Sequence, residues 1–219
     1  MTELKQTDWI RLMEAVAQVM TQNADHLCEM DARMGDGDLG LTMKKGYCAL
    51  PEIYASLEEP DMGKRLSKSG LKLSGVVPST MGTLMSSGWM EGGKRLVGKQ
   101  TVDSAAFAAF LLGFSDGIAK RGKCAPGDRT VLDAILPAAK AAEQAAAAGS
   151  DLSTTIRAAL EGAKSGVKAT KTMTPKYGKA AVFAAKALGT EDQGATAGML
   201  LIQGLCNGIQ AGSDKGALQ

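Results

Sequence analysis

The chain has 219 residues, 45% of them apolar and 22% charged, with a formal net charge of +2. That length supports a core-forming domain, and the near-balanced charge gives no electrostatic case for nucleic acid or an anionic membrane surface as partner. Aromatic residues, at 4%, are too few for a base-stacking platform, and Cys28, Cys48, Cys124, Cys206 and the single histidine His26 have no spacing that suits zinc or a disulfide framework.

The N-terminal stretch MTELKQTDWIRLMEAV carries acids and no apolar core, so no signal peptide is expected. No apolar run approaches the roughly 18 residues a membrane span needs. Four dispersed thiols are expected to be isolated and buried, as suits a reducing cytoplasm. Ile10, Met13, Val16, Ala17 and Met20 recur at three- and four-residue steps and predict one helix over 8–30, with Thr7 and Asp8 as candidate caps. Segment 102–120 follows, with Asp103 or Ser104 near its start, then 130–149. In 153–171, Ile156, Leu160, Ala163 and Val167 share a face, and 178–187 and 194–211 read the same way. "GVV" at 75–77 is the nearest approach to a strand and is too short to count. The reading is all-α: seven or eight Ala- and Gly-rich helices in one domain over 1–219, with small residues permitting close helix packing.

The loops are more distinctive: DARMGDGDLG (31–40), SGVVPSTMGT (74–83), GKCAPGDRT (122–130) and GTEDQGAT (189–196). In an antiparallel bundle with short connections, alternate loops share an end, so these four predict one functional end. Asp31, Asp36 and Asp38 suit a hard divalent cation, because clustered carboxylates repel one another unless a cation lies between them. An EF-hand is excluded: counted from Asp36, position five is Gly40 and position twelve is Tyr47. Mg²⁺ accepts few protein carboxylates together with substrate phosphates, so Mg²⁺ under a nucleotide is one reading; turn and cap aspartates are the other.

Ser79 and Thr80 precede an expected helix, where either phosphate binding or a plain N-cap is served. Gly127, Asp128 and Thr130 read as a turn with a cap. No Walker A, G-x-G-x-x-G or Ser-His-Asp pattern occurs, and His26 reads as a partly exposed helix residue.

Together DARMGDGDLGLTMKKG, PSTMGTL, RGKCAPGDRTVLDAILP, YGKAA and GTEDQGAT resemble, in order and spacing, the DhaL family, the nucleotide-binding L subunit of dihydroxyacetone kinases. The resemblance implies an eight-helix antiparallel barrel with ADP or ATP at one end. It implies two Mg²⁺ ions held by Asp31, Asp36 and Asp38. It carries nucleotide contacts to Thr42, Ser79, Thr80, Gly122, Thr130, Val131, Lys179, Asp192 and Gly194. It also implies a DhaK-type subunit holding the sugar as a covalent hemiaminal on a histidine, and a DhaM-type phosphocarrier where phosphoenolpyruvate is the donor; a homodimer is left open.

The expected function is a phosphotransferase subunit for a triose or tetrose ketose. An ATP-dependent subunit for a different small sugar and a nucleotide-loaded regulatory module are the alternatives. The chain departs from the family pattern at Leu39, where histidine is usual, in a shortened phosphate loop, at Lys179 in place of arginine, and in EDQGA for DPGA.

Overall fold

The computed structural model describes residues 2–182 and 187–216; the side chains of 179, 180 and 213–216 lie outside that description. The helices are α1 (Asp8–Gln22), α2 (Ala24–Ala32), α3 (Leu39–Ala55), α4 (Met62–Val76), α5 (Thr80–Lys94), α6 (Ser104–Gly122), α7 (Leu132–Ala147), α8 (Leu152–Ala169), α9 (Gly178–Val182) and α10 (Gln193–Gly216). Five of them begin where a short polar side chain accepts a hydrogen bond from an amide three residues on, Asp192 from Ala195 (2.8 Å) at the start of α10 being one. The others are Asp61 from Lys64 (2.8 Å), Ser79 from Gly82 (3.0 Å), Asp103 from Ala106 (2.8 Å) and Asp151 from Thr154 (2.9 Å). Each such cap is worth about 1 kcal/mol.

Eight of these helices form a closed ring. Each of α1, α3, α4, α5, α6, α7, α8 and α10 packs on the next, and α10 returns to α1. Gly204 and Gly208 of α10 lie against Val16 and Leu12 of α1, so the closing pair is antiparallel. A Cβ on Gly204 would stand 2.5 Å from Val16 Cα. The absence of a side chain is therefore what lets the ring close. Alternating direction puts the N-termini of α3, α5, α7 and α10 at one end.

Trp9, Trp89, Phe107, Phe110 and Phe114 are fully or almost fully buried toward the other end. The Trp9 and Phe110 rings lie 5.0 Å apart and tilted, and Trp89 meets Phe114 edge-on at 5.8 Å. Such pairs each add about 1 kcal/mol beyond their buried area. Both tryptophans and these three phenylalanines thus form one plug, and an antiparallel bridge between Leu4 and Val102 ties the N-terminal segment beneath it.

The expected all-α class and eight-helix ring are present, with corrections in detail. The helix expected over 8–30 breaks at Asn23, whose side-chain amide donates to the Val19 carbonyl (2.8 Å) and stops the α1 ladder in favour of a local bond. The Thr7 side chain makes no cap bond; Asp8 instead accepts from the Lys5 amide (2.8 Å). For the helix expected over 178–187, α9 covers Gly178–Val182, and 183–186 lie outside the described residues. Cys124 and Cys206 are buried thiols as expected, but Cys48 is exposed on α3 and Cys28 half-buried, because each falls off the inward face of its helix. Among the described residues, no helix is long and apolar enough to cross a membrane.

Candidate metal and anion cleft

A cleft of about 400 Å³ opens at the end of the ring where the four N-termini converge. Leu39 and Thr42 come from the start of α3, Ser79 and Thr80 from α5, Thr130 and Val131 from α7, and Asp192, Gln193 and Gly194 from α10. The first-turn amides of a helix have no partner within it, and the helix dipole puts partial positive charge there, so this wall favours an anion.

The opposite wall is acidic. Carboxylate oxygens of Asp31, Asp36 and Asp38 all lie within 4.8 Å of one another. Asp31 is buried at the end of α2, and its Oδ2 accepts from the Gly37 amide at 2.9 Å. That bond requires the chain to turn back on itself, and Gly37 does so at φ +78°, a conformation L side chains rarely adopt. Gly35 passes so near that a Cβ would stand 2.3 Å from Asp31 Oδ1.

On the α10 side, Gln193 Nε2 donates to Asp31 Oδ1 at 3.3 Å, while Gln193 Oε1 is buried with no partner among the described residues. The converging carboxylates form an all-oxygen donor set, with the Gln193 amide beside it. Such a set fits a hard cation, Mg²⁺ among them.

Arg129 ties the parts together. It sits in the loop before α7 at φ +59°, with its side chain fully buried. Its guanidinium donates to the carbonyls of Ala187 (2.6 Å) and Thr190 (3.0 Å) and to the Thr190 hydroxyl (3.0 Å). Asp133, in the first turn of α7, accepts from the Gly127 amide (2.6 Å) and the Thr130 amide (2.7 Å), which fixes the same loop. Outside the loop, Lys176 pairs with Asp128, and the Tyr177 hydroxyl donates to the Lys123 carbonyl at 2.6 Å. The Lys176 ammonium and the Ala125 amide hold the Asp128 carboxyl below the usual aspartate range.

Asp31, Asp36, Asp38, Thr42, Ser79, Thr80, Thr130, Val131, Asp192 and Gly194 all line this one cleft. Gly122 is not among the lining residues; it ends α6 one layer behind, its position facing Leu84 and Cys124. The Lys179 side chain lies outside the described residues. Leu39 supplies apolar surface where the resemblance expects an imidazole. Sequence reasoning missed Arg129, Gln193, Tyr177 and the apolar wall of Met34, Met81 and Leu84. All of them lie inside the stretches that carry the resemblance, Arg129 in GDRT, Tyr177 in YGKAA and Gln193 in GTEDQGAT, but nothing local to those stretches says which side chain turns into the cleft.

A closed helical ring with acidic and anion-favouring walls facing one cleft defines a class of metal- and phosphate-handling α-barrels. The family model for the DAK2 domain matches residues 33–207, and the chain belongs to that family. It is 25% identical over 200 residues to the ADP-binding subunit DhaL of the PEP-dependent dihydroxyacetone kinase of Escherichia coli, covering 91% of this chain and 95% of that one. It is 34% identical over 188 residues to the D-erythrulose kinase of Mycolicibacterium smegmatis, covering 85% of this chain but 32% of that one. The crystal structure of the dihydroxyacetone kinase of C. freundii superposes with a TM-score of 0.66 at 23% identity, over 91% of this chain and 34% of that one. The same kinase in complex with AMP-PNP and Mg²⁺ gives 0.65. The chain thus spans nearly the whole of the L subunit and about a third of the longer kinases.

Proposed function

We propose that residues 1–219 form one nucleotide-binding domain that serves as the L subunit of a dihydroxyacetone-type kinase. It binds ADP or ATP with Mg²⁺ and delivers a phosphoryl group to a small ketose held by a DhaK-type partner in the cytoplasm. The observation that carries this reading is the pairing of three carboxylates within 4.8 Å of one another with four helix N-termini around a single cleft. A cation alone needs only the first, and a free anion only the second. A metal-bound polyphosphate needs both.

Asp31, Asp36 and Asp38 would hold the cation, which supplies neutralisation of phosphate charge and alignment of the transferred group. Ser79, Thr80 and Thr130 offer hydroxyls and amides to the phosphates, and Thr42 adds a hydroxyl from α3. Met34, Met81, Leu84 and Val131 offer apolar surface to a base. Asp192 and Gly194 shape the wall at the start of α10. Gly122 and Lys179 are assigned to nucleotide binding on the resemblance alone. Phosphoryl transfer of this kind needs positioning and charge neutralisation more than a protein nucleophile, in keeping with the absence of a catalytic triad from the sequence.

Calorimetry with Mg²⁺ and ADP tests the reading. Saturable binding that disappears in Asp36→Ala plus Asp38→Ala supports it; equal binding by wild type and double variant refutes it. A DhaM-type phosphocarrier follows if ADP survives dialysis on the protein and is rephosphorylated in place. Rapid loss of ADP favours ATP exchange. Sedimentation decides whether the chain pairs with itself.

A further inference from the structure

Gln193 stands apart from the other residues of the cleft. Its amide bridges the two ends of the chain: Nε2 donates to Asp31 Oδ1 at 3.3 Å, across 162 residues of sequence, while Oε1 is buried and, among the described residues, without a partner. An unsatisfied buried amide oxygen costs on the order of 1–3 kcal/mol, so a fold that keeps one has a donor for it in another state. The nearest described side-chain partner of this amide is Asp31 itself, one of the three carboxylates gathered within 4.8 Å. Gln193 also lines the cleft, where water can enter.

Among the described residues none donates to Oε1, and the cleft is where a donor can reach it. The water molecules that a small hard cation retains in its first coordination sphere are donors of that kind, since the cation polarises their O–H bonds. Resting on the nucleotide reading above, we propose that Gln193 is a positioning residue of the cation site. Its Nε2 aims Asp31, and its Oε1 accepts a hydrogen bond from a cation-bound water. Partners of this outer-sphere kind are worth 10- to 100-fold in metal affinity in other proteins. The arrangement also couples α10 to the cation, because Gln193 is the first residue of that helix.

The test uses Mn²⁺ as the probe, with free ion read by electron paramagnetic resonance in the presence of saturating ADP, on the full chain. Gln193→Met keeps the unbranched shape and removes both polar atoms; it is expected to weaken Mn²⁺ 10- to 100-fold while the melting temperature without metal stays within a degree or two of wild type. Gln193→Glu keeps an oxygen at the Oε1 position but loses the Nε2 donor to Asp31, so its Mn²⁺ affinity is expected to fall between those of wild type and the Met variant. Wild-type affinity in the Met variant, or equal weakening in Met and Glu variants, overturns the proposal while leaving the nucleotide reading intact. Absence of any Mn²⁺ binding by the wild-type protein with ADP overturns both.

Discussion

Arg129 Nε lies 3.8 Å from Asp192 Oδ1, and the guanidinium is fully buried between them and the 187–190 turn. The pair joins the loop before α7 to the start of α10, two walls of the same cleft. Burial lowers the Arg129 pKa from its usual range, and the Asp192 carboxylate acts in the opposite direction. Removing the buried guanidinium leaves the Asp192 carboxylate without its countercharge and the Ala187 and Thr190 acceptors without a donor, at a cost of about 3–5 kcal/mol. Arg129→Met is expected to lower unfolding stability by about that amount in urea titrations. Arg129→Lys recovers only part of it, because one ammonium cannot reach the acceptors of a planar fork.

Asp192 makes stability depend on pH. Burial pushes its carboxyl up to about 6 from an ordinary 3.8, against the Ala195 amide and the Arg129 guanidinium, which favour the charged form. An acid with a raised folded pKa favours the fold when protonated. Its contribution is therefore complete below about pH 4 and is lost as the pH rises through 6. Asp192→Asn holds the side chain neutral throughout. Relative to wild type, its melting temperature is expected to be higher at pH 8 than at pH 4; a difference that does not vary with pH would contradict this.

Asp133 is buried and takes two short amide bonds, from Gly127 and Thr130. Asp133→Ala strands both donors, with a cost of about 2 kcal/mol or more. The loop carrying Thr130 then loses its fixed shape, so nucleotide affinity is expected to fall together with stability. Asp133→Asn can satisfy one amide and is expected to lie between wild type and alanine in both calorimetry and thermal melts.

Gly37 sits at φ +78° with its amide on Asp31. Gly37→Ala forces an L side chain into the left-handed region at about 1–2 kcal/mol. The expected result is a modest loss of stability with a larger loss of Mn²⁺ affinity, since the strain is relieved by releasing the Asp31 carboxylate. Parallel thermal melts and Mn²⁺ titrations separate the two effects.

The sequence by itself marked the stretches of α1, α2, α6, α7, α8 and α10, the start of α5 and the polar loops, because these are local matters; it did not mark α3 or α4. Apolar spacing of three and four residues marks the faces that must be buried, and Ser79 and Asp103 can reach amides only three residues away. It also brought Asp31, Asp36 and Asp38 to notice, since all three lie within one eight-residue stretch.

Tertiary structure decided which residues meet across the ring. Arg129 finds acceptors at Ala187 and Thr190, 58 and 61 positions away, and Gln193 reaches Asp31 across 162. No periodicity or motif encodes such partners, because they depend on closure of α10 against α1, where Gly204 admits Val16. The same closure leaves Gly122 behind the cleft and brings Met81 and Leu84 to its wall. Local chemistry thus set the composition of each loop, and closure of the helical ring set which loops face one another.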